Sequence, residues 1–451
     1  MTTPSLFKPA RLLALALSLT SLQGAHADVV FNAPLDLLLN AVNASGNLIA
    51  TAGLDLSTAG SSRASGNASL SAGRDATLGD LTAEGKLSVS TASQLTVTGP
   101  LVAGLSTQLD VGTQLKISGE LTTGTSLSAT VGGDTQVVGG LINAGQAASV
   151  TTGGAMSFKG VATVGTGLLL SAGTTLSGNS LALTAGNIAS LTAGTDLSLA
   201  VASVVAGGAA SLTAGHDLAF AGNAQSAQSF SALASHDLNF SGSIKVGTGA
   251  DLTAGSGLTL GSTQVQGNLA LTGGTSVHIS GPLSVTGNAS VSAGNDLYVG
   301  AEVKVTQALS LSAPVRLEIA AMVESKRLAV ASQQLEFDIG TPTSFGGFRV
   351  TQTASFDGLD AILVNFANGF SFLDGEVFDL VAAGTLSGIT EAMFSVHNLN
   401  ANFGYAVAVD ATSVRLTVLA KDRHAVPEPA TLALLLLACA AATLAARRRR
   451  H

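Results

Sequence analysis

Apolar and small polar residues alternate along most of the chain. The segments 269–272, 277–280 and 283–286 follow this pattern, in which every second residue is apolar. Such alternation is typical of β-strands that bury one face. The pattern predicts strands of about three to five residues, separated by Gly, Asn or Pro. The density of Gly, Ser and Thr also disfavours helices, so the sequence predicts an all-β protein.

A turn of the form Ala-Gly-x-Asp-Leu recurs along the chain. Its copies run from Gly53 to Gly294, with a spacing of about 20 residues. One unit of this size cannot bury its apolar face alone, but it can do so by stacking on the next unit. The repeat therefore predicts a parallel β-helix, a solenoid with about 20 residues per coil and roughly 15 coils.

The repeat also resembles a known family of exported proteins. Residues 267–297 show the pattern G-N-L-x-L-x-A-G-x-D-L most clearly. This pattern is similar to the haemagglutinin-type repeats of filamentous haemagglutinins and related large exoproteins. The resemblance implies a right-handed β-helix used in adhesion. The N-terminal secretion domain expected of two-partner exoproteins is absent from the sequence, which implies another export route.

The composition changes near Glu336, where the Gly-rich repeats stop. Residues 337–403 hold ten of the sixteen Phe residues. We therefore predict a β-helix domain over 28–335 and a C-terminal β-rich cap over 336–420, which would cover the apolar end of the solenoid. A binding domain at the tip of the rod is the alternative for this segment. Residues 421–429 are predicted to form a linker.

The first 27 residues have the three parts of a secretory signal peptide. Lys8 and Arg11 precede an apolar stretch from Leu12 to Leu19, and the small residues Ala25 and Ala27 flank His26. This arrangement predicts export through the secretion translocon and cleavage after Ala27.

The other end of the chain combines a proline-rich triplet, an apolar stretch and a basic cluster. Its sorting and processing residues are Pro427, Glu428, Pro429, Arg447, Arg448, Arg449 and Arg450. The uncharged residues 430–446 would span about 26 Å as a helix, slightly less than a hydrocarbon core of about 30 Å. We predict a short transmembrane helix and basic tail over 430–451, with the arginines on the cytoplasmic side.

This tail resembles a PEP-CTERM sorting signal in the order and spacing of its three parts. In that family the membrane enzyme exosortase recognises the tail and cuts the protein near the triplet. The resemblance implies an inner-membrane intermediate that becomes a released or attached protein of the cell surface or extracellular matrix. It also implies a Gram-negative bacterium that makes exopolysaccharide.

Charge and cysteine content narrow the possible partners. The formal net charge is −8. Residues 1–27 and 430–451 together carry six of the 20 basic residues and none of the 28 acidic residues. Removal of both ends leaves a strongly acidic body, which argues against nucleic-acid binding. Cys439, in the apolar tail, is the only cysteine. The body therefore has no disulfide and no thiolate metal site.

Two His-Asp pairs are the most distinctive candidates for chemistry. His216-Asp217 and His236-Asp237 are 20 residues apart, so they should stack on adjacent coils. Stacked His and Asp can bind a metal, but Asp in a turn also accepts backbone N–H groups. Other repeats have Asp at this position without His: Asp55, Asp75, Asp196 and Asp296. Neither a metal nor a cofactor is therefore predicted, and the nonapeptide motif of calcium-binding β-rolls is absent.

The acidic residues are spread singly, one or two per coil, so no clustered carboxylate site is expected and no catalytic residue is assigned. The predicted function is a non-enzymatic protein of adhesion or of the biofilm matrix, with exopolysaccharide or other surface glycans as partners. One alternative is a carbohydrate-active β-helix enzyme, since that class shares the fold. Another is an ice-binding protein, because Thr192, Thr213 and Thr253 share one phase of the repeat.

Overall fold

The computed structural model describes residues 15–17 and 27–421. Within this part of the chain, 48 strands wind into a β-solenoid of about 15 turns. Strands in successive turns pair in parallel and form three ladders along the rod. Among the described residues the only helix is the short 3₁₀ turn Glu391–Met393. The prediction of an all-β parallel solenoid is thus confirmed.

Ladder 1 contains the strand that precedes the Ala-Gly-x-Asp turn in each coil. Its strands are Val29–Ala33, Leu48–Ala52, Ala68–Ala72, Leu87–Thr91, Thr107–Val111, Leu127–Val131, Ala147–Thr152, Gly167–Ala172, Ile188–Ala193, Ala210–Ala214, Ser229–Ala234, Gly249–Ala254, Asn268–Gly273, Ala289–Ala293, the second halves of Val303–Ser312 and Met322–Ala331, Thr353–Asp357 and Thr385–Ser387.

Ladder 2 contains the strand that follows this turn. Its strands are Leu15–Leu17, Leu37–Asn40, Leu56–Ala59, Ala76–Leu78, Gln94–Val97, Gln114–Ile117, the first parts of Asp134–Ala144, Met156–Val164, Leu176–Ala185, Leu197–Ala206, Leu218–Ser226, Leu238–Val246 and Gly257–Val265, and then Ser276–Ile279, Asp296–Val299, Arg316–Ile319, Gln334–Thr341, Ala361–Phe366 and Phe394–His397.

Ladder 3 completes each coil. It contains Asn43–Ala44, Ser62–Ala64, Leu81–Ala83, Leu101–Ala103, Leu121–Thr123, the second parts of the seven long strands from Asp134–Ala144 to Gly257–Val265, Leu283–Val285, the first halves of Val303–Ser312 and Met322–Ala331, Gly347–Val350, Val377–Ala382 and Ser413–Ala420. Ser344–Phe345 and Phe403–Val409 are antiparallel additions at the C-terminal end.

The core is a set of apolar rows that run along the rod. The Leu of each Ala-Gly-x-Asp-Leu turn is the first inward residue of ladder 2, and Leu197, Leu218 and Leu238 pair directly in successive coils. All three are buried. Burial of one Leu side chain is worth about 1.5–3 kcal/mol, so the repeat places the same stabilising contact in every turn.

The glycine of the turn is required by the close stacking of the coils. A Cβ atom added to Gly215 would lie 1.9 Å from the carbonyl oxygen of Gly194 in the coil below. No side chain can occupy that space without shifting the backbone. The Gly in the repeat thus reflects a short distance between coils, and a positive φ angle is not the cause at this position.

Polar side chains at two corners satisfy backbone groups of the next coil. At the Ala-Gly-x-Asp corner, the backbone N–H of Asp217 donates to Oδ1 of Asp196 at 3.2 Å, and the N–H of Asp237 donates to Oδ1 of Asp217 at 3.1 Å. At the opposite end of ladder 1, the N–H of Asn288 donates to Oδ1 of Asn268 at 2.9 Å. The Asp of the repeat therefore has a structural role in joining coils.

The parallel stack continues beyond Glu336 with wider coils. Leu335 pairs with Ile362, and Ile362 pairs with Phe394. Phenylalanines fill the larger interior: the ring centroid of Phe366 lies 5.1 Å from that of Phe370 and 4.9 Å from that of Phe372. The last coil ends in antiparallel pairing of Val377–Ala382 and Phe403–Val409 with Ser413–Ala420, the final strand of ladder 3.

Candidate functional site

The predicted processing residues lie almost entirely outside the described part of the chain. Ala25 and the predicted transmembrane helix and basic tail over 430–451 fall outside it, as do the sorting residues Pro427, Glu428, Pro429, Arg447, Arg448, Arg449 and Arg450. Ala27 is described and half-buried. Its N–H donates to Oγ of Ser45 at 3.2 Å, and its carbonyl oxygen accepts from the N–H of Gly46 at 3.0 Å. Cleavage after Ala27, which stays a prediction, would therefore fall at the edge of the first coil.

None of the helices within 27–421 is long and apolar enough to cross a membrane.

The two His-Asp pairs stack as the repeat predicts. The rings of His216 and His236 lie 4.8 Å apart between centroids and are tilted by only 15°. Nδ1 of His236 lies 2.9 Å from Oδ1 of Asp217, and Nδ1 of His216 lies 3.2 Å from Oδ2 of the same carboxylate. Asp196 and Asp237 flank the group at 3.5 and 3.4 Å from the nearer imidazole nitrogen. The two imidazoles are thus interleaved with three carboxylates, and all five side chains are partly exposed.

Electrostatics couple the members of this His-Asp row. The hydrogen bond from His236 lowers the pKa of Asp217, and the backbone N–H of Asp237 acts in the same direction. The same hydrogen bond to Asp217 raises the pKa of His236. In coils nearer the N-terminus a permanent cation takes the equivalent place, because Arg74 forms ion pairs with Asp55 and, at 3.4 Å, with Asp75.

A second polar cluster lies on the outward side of ladder 2, where the wide coils begin. Nη2 of Arg316 lies 3.0 Å from Oε2 of Glu318, and Nη1 lies 3.3 Å from Oε2 of Glu336. Asp338 forms a hydrogen bond with Glu318 and accepts another from Nδ2 of Asn365 at 3.3 Å. Three carboxylates therefore meet on adjacent coils, and two of them pair with Arg316, which corrects the expectation that the acids stay scattered.

Burial controls the titration of this carboxylate cluster. Burial, followed by the hydrogen bond and negative charge of Asp338, raises the pKa of Glu318 to about 7. Burial also raises the pKa of Glu336, against the opposing effect of Arg316. A carboxyl group that stays partly protonated near neutral pH can act as a general acid. The Glu318 side chain is only 17% exposed, which restricts the approach of a substrate to it.

A groove of about 530 Å³ opens on the outward side of ladder 3 at the same level. Its charged lining residues are Lys304, Lys326, Arg349 and Glu324. Nζ of Lys304 lies 2.7 Å from Glu302, and Nη1 of Arg349 lies 3.9 Å from Glu324. Three cations therefore stand against two acids, Glu324 in the lining and Glu302 beside it, which leaves the groove locally positive on an acidic protein.

The threonines that suggested an ice-binding face share one row of ladder 1. Thr192 pairs with Thr213, but the next residue in the row is Leu233, which then pairs with Thr253. The apolar side chain of Leu233 is exposed within the row. The row is therefore a single file that an apolar residue interrupts, and the flat double array typical of ice-binding faces is not formed here.

The sequence contains a signal for the carboxylate cluster, although the cluster was not predicted. Glu318 and Glu336 are 18 residues apart, close to the length of one coil. Each is the third residue of a segment with the x-Leu-x-apolar pattern of ladder 2. Alignment of coils by this phase would have placed the two carboxylates side by side. The groove has no such signal, since Lys304 and Arg349 meet across coils of different length.

Comparison with known proteins identifies the tail. Residues 425–450 match the family model described as the PEP-CTERM protein-sorting motif. No curated protein and no solved structure matches the chain. The match confirms the predicted PEP-CTERM signal and implies an exported protein that exosortase sorts toward the cell surface. The solenoid agrees with the fold implied by the haemagglutinin-type resemblance, and the comparisons add nothing to that resemblance.

Proposed function

We propose that the protein is a non-enzymatic component of the bacterial cell surface or extracellular matrix, which acts in adhesion or in the biofilm by holding acidic exopolysaccharide. The observation that carries this proposal is the combination of the sorting motif at 425–450 with a long solenoid body. A rod of stacked coils offers an extended surface, on which repeated weak contacts add up to firm attachment.

The cation-lined groove is the surface best suited to an acidic glycan. Lys304, Lys326 and Arg349 line it together with the hydroxyl groups of Thr306 and Thr351. Uronate-type sugars present carboxylates and hydroxyls, which these donors match. The rest of the body is acidic and would repel the same polymer. We therefore expect binding to be confined to this region and to weaken with salt.

The test compares the purified protein with a variant in which Lys304, Lys326 and Arg349 are replaced by Gln. Binding is measured to immobilised alginate and to neutral dextran at low and high salt. Three exposed charges at about 0.5 kcal/mol each correspond to a loss of roughly tenfold in affinity for alginate.

A matched control replaces the exposed residues Lys86, Lys116 and Lys159, on distant coils, by Gln. It removes the same charge without touching the groove and should bind alginate as the unmodified protein does. Equal loss in both variants would show that only net charge matters. Stronger binding to dextran than to alginate would contradict the proposed ligand class.

The carboxylate cluster supports a second candidate, a carbohydrate-active enzyme. Glu318 would be the general acid, since its pKa is raised to about 7, and Asp338 would be the base. The low exposure of Glu318 weighs against this candidate, because a sugar must reach its carboxyl group. The hydrogen bond between Glu318 and Asp338 also holds the two groups closer than the roughly 5 Å or more that separates the carboxylates of glycosidases. Release of reducing ends or unsaturated sugars from acidic polysaccharides, and its loss in Glu318→Gln, would establish the enzyme.

A further inference from the structure

We propose that His216, Asp217 and His236 form a binding site for a divalent metal ion of the zinc class. The site lies at the Ala-Gly-x-Asp corner of two adjacent coils in the middle of the rod. It is independent of the cation-lined groove and of the sorting tail, so it goes beyond the proposed surface function.

The spacing of the ligand atoms fits such an ion. One ligand atom from each of the three residues can be chosen so that all lie within 4.8 Å of one another. Oδ1 of Asp217 is 2.9 Å from Nδ1 of His236, and Oδ2 of the same carboxylate is 3.2 Å from Nδ1 of His216. Ligands about 2.0–2.1 Å from a tetrahedral zinc ion are separated by about 3.3 Å. Both nitrogen–oxygen distances are close to this separation, and because they involve different oxygens of Asp217, small rotations of the three side chains would bring one oxygen and both imidazoles to a single ion.

The donor set determines the class of ion. Two imidazole nitrogens and one carboxylate oxygen suit Zn²⁺, Ni²⁺, Co²⁺ and Cu²⁺. Ca²⁺ and Mg²⁺ prefer six or more oxygen ligands and should bind poorly here. The partial exposure of both imidazoles leaves room for a water molecule as the fourth ligand, and Asp196 or Asp237 can approach from either side.

The charge along this corner gives a reason for a cation to bind. Asp196, Asp217 and Asp237 stack in successive coils, and one oxygen of each accepts a hydrogen bond from a backbone N–H of the next coil. In the N-terminal coils, Arg74 supplies a fixed positive charge between two such carboxylates. His216 and His236 stand in place of that arginine and carry no permanent charge, so a bound divalent ion would supply the positive charge that Arg74 provides elsewhere.

Two variants separate metal binding from folding. His236→Arg reproduces the arrangement of Arg74 and keeps a cation beside Asp217, but it removes one ligand. Asp217→Asn keeps the side-chain oxygen that accepts the N–H of Asp237, as Asn268 does at the other corner, but it removes the charged ligand. Both should fold normally, which circular dichroism and thermal unfolding will show. His278→Ala is the control, since His278 packs against Tyr298 on other coils.

The experiment is calorimetric titration of the tag-free purified protein with Zn²⁺, with Ca²⁺ as a comparison. We expect one Zn²⁺ per chain, no comparable binding of Ca²⁺, and a rise in unfolding temperature when Zn²⁺ is present. Affinity should fall at least about 100-fold in His236→Arg and in Asp217→Asn and stay unchanged in His278→Ala. The absorption bands of Co²⁺ in the visible region should report nitrogen and oxygen ligands in the same variants.

Three results would overturn the proposal. The first is the absence of Zn²⁺ binding to the unmodified protein at micromolar concentrations. The second is binding that persists undiminished in a folded His236→Arg variant, which would place the ion elsewhere. The third is binding of Ca²⁺ as tight as that of Zn²⁺, which would show that only the negative charge of the corner attracts cations.

Discussion

The raised pKa of Glu318 predicts how the stability of the surrounding coils depends on pH. Burial and the neighbouring Asp338 raise the pKa of Glu318 from 4.5 to about 7. The folded protein therefore keeps a proton that the unfolded chain has already lost at the same pH. Stability should fall as pH rises from about 4.5 to about 7 and then level off. Glu318→Gln keeps the side chain uncharged and should remove this component.

The size of the change in unfolding free energy follows from the rise in the pKa of Glu318. A difference of about 2.5 units at about 1.4 kcal/mol per unit sets a ceiling near 3 kcal/mol. Contact of the Glu318 side chain with solvent screens part of this energy, since 17% of it remains exposed. We expect a loss of about 1–2 kcal/mol in the free energy of unfolding between about pH 5 and pH 8.

The assay should be local, because each coil of a solenoid contacts only its neighbours and the rod need not unfold as one unit. Hydrogen exchange of Arg316–Ile319 and Gln334–Thr341 reports the opening free energy of the two coils that hold the carboxylate cluster. Glu120→Gln, an exposed site on a distant coil, is the control. The reasoning is refuted if the opening free energy rises with pH, or if Glu318→Gln leaves its pH dependence unchanged.

Three further predictions concern the core, the backbone and the tail. Phe240→Ala should lower stability by about 3–5 kcal/mol in chemical unfolding, because the ring is buried against Phe220 at 5.0 Å, whereas Asn239→Ala on the outward side should be nearly neutral. Val201 has a φ of 51° and is 73% exposed, so Val201→Gly should raise the unfolding temperature by relieving about 1 kcal/mol of strain; an unchanged or lower temperature would contradict this. Deletion of residues 430–451 should abolish sorting to the cell surface in fractionation experiments, and unchanged surface display would show that the tail is not the signal.

The stacked His-Asp row and its arginine counterpart show that the charge at one corner of a solenoid can differ from one coil to the next. The Asp of the repeat is fixed by its hydrogen bond to the next coil, as for Asp196 and Asp217. The residue before it varies between coils, because it points outward and contacts mainly the Asp side chains of its own coil and of the preceding coil, as His216 does. Arg74 and His216 are two solutions to the same row of negative charge: the first places a permanent cation beside the carboxylates, and the second places an imidazole nitrogen there.

The sequence alone determined the class of fold, the length of a coil and the tail. Alternation of apolar residues predicts strands, a constant spacing predicts stacking, and the Leu of each turn is buried because every coil repeats the same inward position. The stacking of His216 on His236 follows from the same spacing, since residues one coil apart occupy one row. The Pro-Glu-Pro triplet and the arginines identify the sorting signal without any structure, because that signal is read as a short linear segment.

Only the tertiary structure decided where charges meet when coils differ in length. Arg316 pairs with Glu318 and Glu336, Asp338 forms a hydrogen bond with Glu318, and the burial that raises the pKa of Glu318 depends on the coils that pack on either side. The groove that Lys304 and Arg349 line exists because the coils widen beyond Glu336, so that residues 45 positions apart lie two strands from each other. A regular spacing fixes a row of neighbours along the chain, but a change of spacing brings together residues that no local pattern relates.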